Sequence, residues 1–470
     1  MADKFIKSIT FVEGGDAYYP LPKVTNADDG KVLKVVDGVW SLGEYPKILM
    51  RIEVTTSPTT VEYTEGDSLD LTGLVVTATF SDGSTEDVTS QCIISPADGT
   101  VLATTDTSVN ISYTYKGVTR NTAQIIVVES AAVPYLSFVG NEDFTLKTDN
   151  TTKNWDGTLE YSTDTSTWNT WNGTEISSSG SKLYLRGTGN TKITGAIYDD
   201  RKFVFTGTDA LKIACEGNIE NLLDYETVSA GDHPTMANYC YSNMFSSCTG
   251  LTTAPALPAT TLADNCYGSM FHSCTSLTTA PALPATTLSS SCYINMFYGC
   301  TGLTTAPALP ATTLADNCYQ EMFKGCTSLT SAPALPATTL ASYCYRGMFN
   351  RCTSLTTPPS VLPATTLVDS CYRFMFEFTA IDAIPKIMAT TYATDSCRGM
   401  FDDIKTLNVY STSGTGHTYG WKAPSSASTY CSGMFGSDDG ESEWAKLDGS
   451  NFPNSGTPTA GKTYYFKTVA

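Results

Sequence analysis

The sequence predicts a mainly β, multidomain protein whose second half is a stack of short strands and short helices. Three observations predict this fold class. The chain has 470 residues, more than a single hydrophobic core usually accommodates. Thr, Ser and Gly are abundant and long runs of helix-forming residues are scarce, which is typical of short strands and turns. A block of 26 residues recurs through about residues 240–440, and each block is expected to form one structural unit.

The first element, residues 1–50, contains the motif PLPKVTNADDGKVLKVVDGVWSLGE. Its Pro-rich start, its Asp-Gly turn and two short apolar runs ending at Trp40 predict a small β-hairpin. A hairpin of this size cannot bury a hydrophobic core. We therefore expect residues 1–50 to need a partner chain or a surface.

This motif resembles the LPxVTxxDnGKvLxVvdGxW segment at the N-termini of phage head-fibre and related tail-appendage proteins. The resemblance implies that residues 1–50 anchor the chain to a capsid or tail protein of a virion, and that the chain forms a homotrimer. The predicted anchoring residues are Pro20, Leu21, Pro22, Val24, Asp29, Gly30, Lys31, Val32, Leu33, Val35, Val36, Gly38 and Trp40.

The second element, residues 51–130, consists of short alternating strands separated by Gly and Asp turns, which predicts a β-sandwich. Its run YTEGDSLDLTGLVVTATFSDGSTEDVT resembles the bacterial Ig-like family, whose signature is YxxGxxLDLxGLxVxAxYxDGxxxxVT. Cys92 stands alone, so this domain lacks the Cys pair of antibody-type domains and must depend on its apolar core. The resemblance implies a spacer or a weak adhesive module.

The third element, residues 131–206, is a small β-rich junction domain that precedes the repeats. Three tryptophans, Trp155, Trp168 and Trp171, cluster in it. Trp in alternating strands favours a place in the core, and stacking on sugar faces is the alternative. Because the first coil of a repeat stack needs a cap, we expect this domain to cover it.

The fourth element, residues 207–440, contains units that read approximately NCYxxMFxxCTxLTTAPALPATTLAD. The apolar positions Cys240, Tyr241, Met244, Phe245 and Cys248 have the spacing of a short amphipathic helix. The segment LTTAPAL is expected to form one extended strand per coil, followed by a turn at PATT. Two buried leucine ladders are expected. The first consists of Leu251, Leu277, Leu303, Leu329 and Leu355, and the second of Leu257, Leu283, Leu309, Leu335 and Leu362.

Two cysteine columns also follow the period. The first consists of Cys240, Cys266, Cys292, Cys318, Cys344, Cys371 and Cys397, and the second of Cys248, Cys274, Cys300, Cys326 and Cys352. Cys packs as a small hydrophobe, so stacked columns inside the repeat explain these residues without chemistry. Disulfides between adjacent coils are one alternative. A metal site is the other, although the C-x7-C spacing is not that of zinc ligands and only three His residues exist.

The repeat resembles the BspA-like leucine-rich repeats, whose AFxxCxxLxxIxIP-type core corresponds here to MFxxCTxLTTAPALP. The full predicted fold is therefore an Ig-like β-sandwich followed by a leucine-rich-repeat solenoid of period 26, with residues 441–470 as a C-terminal cap. The resemblance implies a surface interaction scaffold. Threonine hydroxyls are expected to line one face, and the predicted ligand-face residues are Thr253, Thr279, Thr305 and Thr357.

No catalytic residue, cofactor site or metal site is predicted. HExxH, GxSxG, P-loop and GxGxxG motifs do not occur in a fitting context, and His233, His272 and His417 fall in unrelated settings. His272 is expected to be a solvated surface residue. The acidic run Asp438, Asp439, Glu441 and Glu443 fits a solvated loop, with a calcium site as the alternative.

Charge and hydropathy exclude two classes of partner. The net charge is −19 with only 16% charged residues, whereas nucleic-acid binding needs clustered Lys and Arg. No run approaches the roughly 20 apolar residues that cross a bilayer, so no membrane insertion is expected. A secretory signal peptide is not visible at the N-terminus.

Together these features predict a virion appendage, a capsid or head fibre ahead of a tail fibre, made in the host cytoplasm and located on the virion surface. Its partners would be a capsid or tail protein through residues 1–50, and a host surface protein, mucus or a glycan through the repeats. A bacterial cell-surface adhesin is the alternative function. A polysaccharide depolymerase is the third, and it would require clustered carboxylates and aromatic residues on one face.

Overall fold

A computed structural model describes residues 31–36, 39–44, 47–103, 105–129, 133–149, 155–195, 202–404, 406–436, 445–452 and 456–467. The chain divides into two compact units, Met1–Ala131 and Ala132–Ala470. The prediction of a mainly β, multidomain protein is confirmed, because strands in several separate sheets make up most of the regular structure in these residues.

The first unit begins with the predicted hairpin. Strands β1 (Lys31–Val36) and β2 (Val39–Glu44) pair antiparallel, with Val36 opposite Val39. The second strand extends to Glu44, past the predicted end at Trp40. Of the predicted anchoring residues, β1 and β2 contain Lys31, Val32, Leu33, Val35, Val36 and Trp40. Outside the described residues lie Pro20, Leu21, Pro22, Val24, Asp29, Gly30 and Gly38.

The rest of the first unit is a two-sheet β-sandwich. Its strands are β3 (Leu49–Thr56), β4 (Glu62–Thr64), β5 (Val75–Phe80), β6 (Thr85–Asp87), β7 (Ile93–Ser95), β8 (Ser108–Tyr115), β9 (Val118–Ile125) and β10 (Val127–Glu129), with a 3-10 turn at Thr89–Gln91. One sheet has the order β3-β5-β6 and the other β7-β8-β9, and β10 pairs parallel with β4. Side chains alternate along β5 and β8, so that Val76, Phe80, Val109 and Ile111 share one apolar core. The core carries this fold without a disulfide, since Cys92 is a free thiol.

The second unit begins with eight strands in two sheets. They are β11 (Leu136–Gly140), β12 (Thr145–Thr148), β13 (Thr158–Ser162), β14 (Asn169–Trp171), β15 (Ile176–Ser177), β16 (Lys182–Thr188), β17 (Phe203–Thr206) and β18 (Ile213–Glu216). The larger sheet continues into the repeats, because β18 pairs parallel with β19 (Leu251–Thr253) in the order β14-β13-β16-β11-β18-β19. The predicted boundary at residue 206 therefore falls inside a continuous structure. Helix α1 (Asn221–Ser229), irregular at Asp224, packs on β16.

Each repeat contributes a run of turns that differs from the predicted helix. In the first coil, Tyr241, Asn243 and Phe245 donate their N–H groups to Cys266, Gly268 and Met270 of the next coil at 2.8–2.9 Å. The residues between them donate to carbonyls three positions back within the same coil. A helix would satisfy all of these N–H groups within its own segment. The prediction of a short helix in each coil is therefore wrong, because alternate N–H groups join neighbouring coils instead.

The alternation requires a left-handed backbone at every fourth position of the turn run. In the first coil φ is +62° at Tyr239, +59° at Asn243 and +63° at Ser247. Asn, Ser and Gly tolerate this region best, which explains why the same positions of the next three coils carry them almost throughout. The residue types found between the apolar positions thus depend on the backbone conformation as well as on exposure to water.

Side chains of successive coils form continuous stacks inside the unit. Six tyrosines from Tyr241 to Tyr372 stack with ring centroids 5.6–6.0 Å apart. Eight phenylalanines from Phe245 to Phe435 stack at 5.5–5.9 Å. Both leucine ladders are buried as predicted. The coils are therefore held by stacked rings and by hydrogen bonds between coils, each coil contacting its neighbours.

Both ends of the phenylalanine stack are covered. Phe203 of the junction sheets lies 6.0 Å from the first ring, Phe245. At the other end, Phe452 and Phe466 lie 4.8 and 5.7 Å from the last ring, Phe435. The remaining elements of the second unit, from the later coils to the C-terminal cap, are β20 (Val361–Leu362), β21 (Lys386–Ile387), β22 (Asn408–Val409), β23 (Tyr419–Lys422), α2 (Ala427–Tyr430), β24 (Lys446–Leu447), β25 (Ser450–Asn451) and β26 (Thr463–Phe466).

The last two coils correct one predicted column. Tyr372 donates its N–H to the carbonyl of Ser396, and Cys397 donates to Tyr430, as tyrosine positions do in earlier coils. Cys397 therefore occupies the tyrosine column, and Ser396 takes the cysteine position. The 26-residue spacing from Cys371 to Cys397 is a coincidence, because this coil is one residue shorter than the regular 26-residue coils.

Candidate functional site

The predicted ligand face is an exposed row on one side of the stack. Thr279 and Thr305 form a parallel bridge with each other, and Ser331 bridges Thr357 in the same way. Thr253 lies at the end of β19, and all four predicted threonines are exposed. The structure thus brings Thr253, Thr279, Thr305 and Thr357 onto one line of hydroxyl groups. Such a line offers donors and acceptors and carries no charge.

The cysteine columns form part of the packing. All fifteen cysteines are free thiols, and the second column donates its S–H groups to phenylalanine carbonyls of the preceding coil. Cys300 Sγ, for example, lies 3.0 Å from the Phe271 carbonyl, and Cys326 Sγ lies 3.1 Å from that of Phe297. Burial raises the pKa of Cys300 to about 12. Protonated, buried thiols of this kind are poor nucleophiles and poor metal ligands.

The three histidines have different surroundings, and His272 is not the solvated residue expected. It is half-buried and stacks on Tyr298 with ring centroids 4.8 Å apart, and burial lowers its pKa. His233 contacts the buried carboxylate of Glu220, Nδ1 to Oε2, at 2.8 Å. This pair borders a cleft of about 340 Å³ whose other walls include Met236 and Leu262.

The predicted calcium alternative at residues 438–443 lies outside the described residues. Among the described residues, Glu377, Asp402 and Asp403 form an acidic cluster whose carboxylate oxygens lie within 4.8 Å of one another. Asp402 is buried beneath the other two. Oxygen ligands of this type suit hard divalent cations, and exposed acidic groups also occur without one.

The tryptophans divide between core and surface. Trp155 and Trp171 are buried and stack at 5.2 Å between ring centroids. Trp168 is half-buried, and its face is covered by the Arg186 guanidinium, 4.1 Å from the ring centroid. Arg186 is itself fixed by Glu160, with Nε to Oε2 at 2.8 Å. The ring face that a sugar would need is therefore occupied by protein.

Sequence reasoning missed an arginine column on the coils of residues 343–404, here called the divergent coils. Gly347 donates its N–H to the Arg373 carbonyl at 2.8 Å, and Phe374 donates to the Arg398 carbonyl at 2.9 Å. Glu321 makes the same bond to Arg346. These repeated bonds place Arg346, Arg373 and Arg398 at one position of three consecutive coils. The same position of the four preceding coils carries Ser242, Gly268, Ile294 and Gln320.

Few carboxylates compensate these three charges. Asp395 lies 3.4 Å from Arg373 and 3.6 Å from Arg398. Arg346 makes no ion pair with the part of the chain that the structure describes. Burial lowers the pKa of Arg373, and the neighbouring charges of Arg398 and Arg346 lower it further. The buried Nε–H groups of Arg346 and Arg373 have no hydrogen-bond acceptor among the residues that the structure describes.

Aromatic residues at strained positions surround this column. Tyr343, Phe374 and Phe378 have φ of +59°, +56° and +56°, where the regular coils mostly carry Asn, Ser or Gly. The Arg373 guanidinium carbon lies 4.9 Å from the Phe374 ring centroid, and that of Arg346 lies 6.0 Å from the Tyr343 ring centroid. Bulky residues at positive φ cost energy and concentrate at functional sites.

No helix in the described residues is long and apolar enough to span a membrane. A search of curated proteins found no match to this chain. Residues 56–127 match the family model of the bacterial Ig-like domain (group 3), which covers β4 to β9 and most of the sandwich. This match confirms the Ig-like prediction for the first unit, and the chain therefore contains a bacterial Ig-like domain.

Proposed function

We propose that this protein is a non-enzymatic virion appendage, a phage head fibre ahead of a tail fibre, that attaches the particle to host surfaces, mucus or glycans. Residues 1–50 dock on a capsid or tail protein, and three copies of the chain assemble there. The Ig-like sandwich acts as a spacer, and a BspA-like leucine-rich-repeat stack presents the binding face. The protein is located on the virion surface.

The observation that carries the adhesive role is the form of the second unit. Its stacked coils are capped at both ends and expose a row of hydroxyl groups and a column of arginines. Such a rigid, extended face suits recognition of a repeating or large partner. The Ig-like domain match is compatible with surface display. The resemblance of the β1–β2 segment to head-fibre proteins supports the virion location.

Immunogold labelling of purified particles tests the location. We expect label on the heads of the particles, and loss of label when residues 1–46 are deleted. Label confined to the bacterial surface would contradict the virion role and favour the surface adhesin.

Binding of the second unit to host cells and mucin tests the adhesive role. The fragment should contain residues 132–470, because a start near residue 207 would separate β18 from β11, its partner in the sheet. A fragment of residues 47–131 is the matched control, since the Ig-like sandwich has its own core. Equal binding of both fragments would contradict the proposal. Release of reducing sugars from a bound polysaccharide would contradict the non-enzymatic part.

A further inference from the structure

The divergent coils contain a charge arrangement that stability does not explain. The backbone positions of three arginines follow one another on adjacent coils, whose spacing is 5.5–6.0 Å at the stacked rings. Like charges on adjacent coils repel, and among the described residues only Asp395 forms ion pairs with members of the column. Arg346 and Arg373 also keep buried N–H groups that have no acceptor within the described part of the chain, an arrangement that costs free energy.

The arginines remain accessible from solvent despite this packing. The side chains of Arg373 and Arg398 are 24% and 39% exposed, and Arg346 is half-buried. The guanidinium carbons of Arg346 and Arg373 lie 6.0 and 4.9 Å from the centroids of the Tyr343 and Phe374 rings. A positioned, partly desolvated guanidinium fork is suited to binding carboxylate or sulfate oxygens.

We propose that the column Arg346, Arg373 and Arg398 binds an anionic saccharide, whose carboxylate or sulfate groups lie along the stack axis while a sugar ring contacts Tyr343. This inference rests on the adhesive role proposed above and names the ligand class of that face. A polymer with regularly spaced anions matches a column with regularly spaced cations. The uncharged threonine row offers no comparable selectivity.

Two features favour a saccharide over other polyanions. The chain carries a net charge of −19, so its surface repels a saccharide with one carboxylate per sugar less than a duplex nucleic acid, which carries one charge per about 1.7 Å of its axis. The Tyr343 ring beside the column is half-buried, and its centroid lies 6.0 Å from the Arg346 guanidinium carbon, farther than the 4.9 Å between Phe374 and Arg373, which suits contact with the apolar face of a sugar ring. An acidic peptide has no need of such contacts.

The test uses the full chain and titrates it calorimetrically with oligogalacturonate for carboxylate and with dextran sulfate for sulfate. Uncharged dextran, polyglutamate and single-stranded DNA complete the set of probes. We expect binding to one or both anionic saccharides, weakened by salt, and none to dextran. Failure of both anionic saccharides, or tighter binding of polyglutamate or DNA, would overturn the inference.

The repeat itself supplies matched variants. Arg346→Gln and Arg373→Gln copy Gln320, which occupies the same position of an adjacent coil, so the fold should tolerate both. Each should weaken saccharide binding by about tenfold or more, since a charge-assisted hydrogen bond is lost. Arg351→Gln removes an exposed arginine from a different position and should leave the affinity unchanged. Unchanged affinity in both column variants would overturn the inference.

Cell attachment separates this inference from the proposed function. If the unmodified chain attaches to host cells and Arg373→Gln attaches equally well, the arginine column is not the binding site although the adhesive role stands. If the unmodified chain binds neither cells nor any saccharide, the adhesive role fails as well. Attachment that is lost in Arg373→Gln and retained in Arg351→Gln supports both.

Discussion

The four regular coils of residues 239–342 and the divergent coils of residues 343–404 share one backbone but differ in what they place on it. The regular coils contain only four charged residues, Asp264, Asp316, Glu321 and Lys324. The divergent coils add the arginine column, and aromatic residues replace Asn, Ser or Gly at three positive-φ positions. The phenylalanine column runs through both regions, and the tyrosine column continues as far as Tyr372.

This difference separates scaffold from recognition. The regular coils satisfy the backbone with small residues and bury uninterrupted rings, so they provide length and rigidity. The divergent coils retain the buried rings and accept strain and repulsion on their surface. Stability should therefore depend most on the core columns, and binding should depend most on the divergent surface.

The largest effect is expected in the shared core. Phe297→Ala removes a fully buried ring stacked between Phe271 and Phe323. The transfer and cavity costs predict a loss of about 3–5 kcal/mol in the free energy of unfolding. Chemical denaturation monitored by circular dichroism measures it. Phe349→Ala in the divergent region should cost a similar amount, and a much smaller cost there would break the idea of one continuous core.

The buried thiols should make the whole stack sensitive to alkali. Burial raises the pKa of Cys292, Cys300 and Cys352 to about 12, from 9.0 when exposed. Their contribution to stability is complete below pH 9 and is lost as the pH rises towards 12, because the unfolded chain releases protons that the folded chain retains. Each thiol contributes a slope of about 1.4 kcal/mol per pH unit in this window.

Thermal melts between pH 8 and 11 measure this slope. Cys300→Ala should reduce the slope, because the alanine side chain does not ionise. It should also lower the free energy of unfolding at pH 8, because the smaller side chain leaves a void. An unchanged slope in this variant would show that the thiol already ionises in the folded chain.

A smaller effect is expected at the strained aromatic positions. Phe374→Asn places the residue of Asn243 and Asn295 at the same left-handed position. Relief of backbone strain should offset the lost ring contacts, so the free energy of unfolding should change by less than about 1 kcal/mol. Denaturant titration measures it. A loss comparable to that of Phe297→Ala would mean that Phe374 belongs to the core and not to the surface.

The smallest effect concerns His272. Burial lowers its pKa below the ordinary value of 6.5, so the folded chain binds this proton more weakly than the unfolded chain. Stability from this residue is present above pH 6.5 and decreases as the pH falls below it. His272→Asn copies Asn350 of the same column and should remove a small decrease in melting temperature between pH 7 and pH 5. An equal decrease in both proteins would contradict the assignment.

Much of the fold was accessible from the sequence. The Ig-like sandwich was predicted because Gly and Asp turns separate short segments of alternating apolar and polar residues, although the number and bounds of its strands were not fixed by this pattern. Cys240, Tyr241, Met244 and Phe245 were predicted to be buried, and they are. The arginine column was also visible to internal comparison, since Arg346, Arg373 and Arg398 each stand two residues before the Met-Phe pair.

The sequence by itself determined the period, the buried columns and the β-sandwich, because these depend on which side chains avoid water. Only the tertiary structure decided that the apolar stripe forms turns and not a helix. Both conformations bury apolar side chains at the same sequence spacing, and the hydrogen bonds to neighbouring coils favour the turns. The tertiary structure also decided that Cys397 fills a tyrosine position, because coil stacking fixes the register and residue identity does not. The arginines became a site only when stacking brought residues 25–27 positions apart onto adjacent coils.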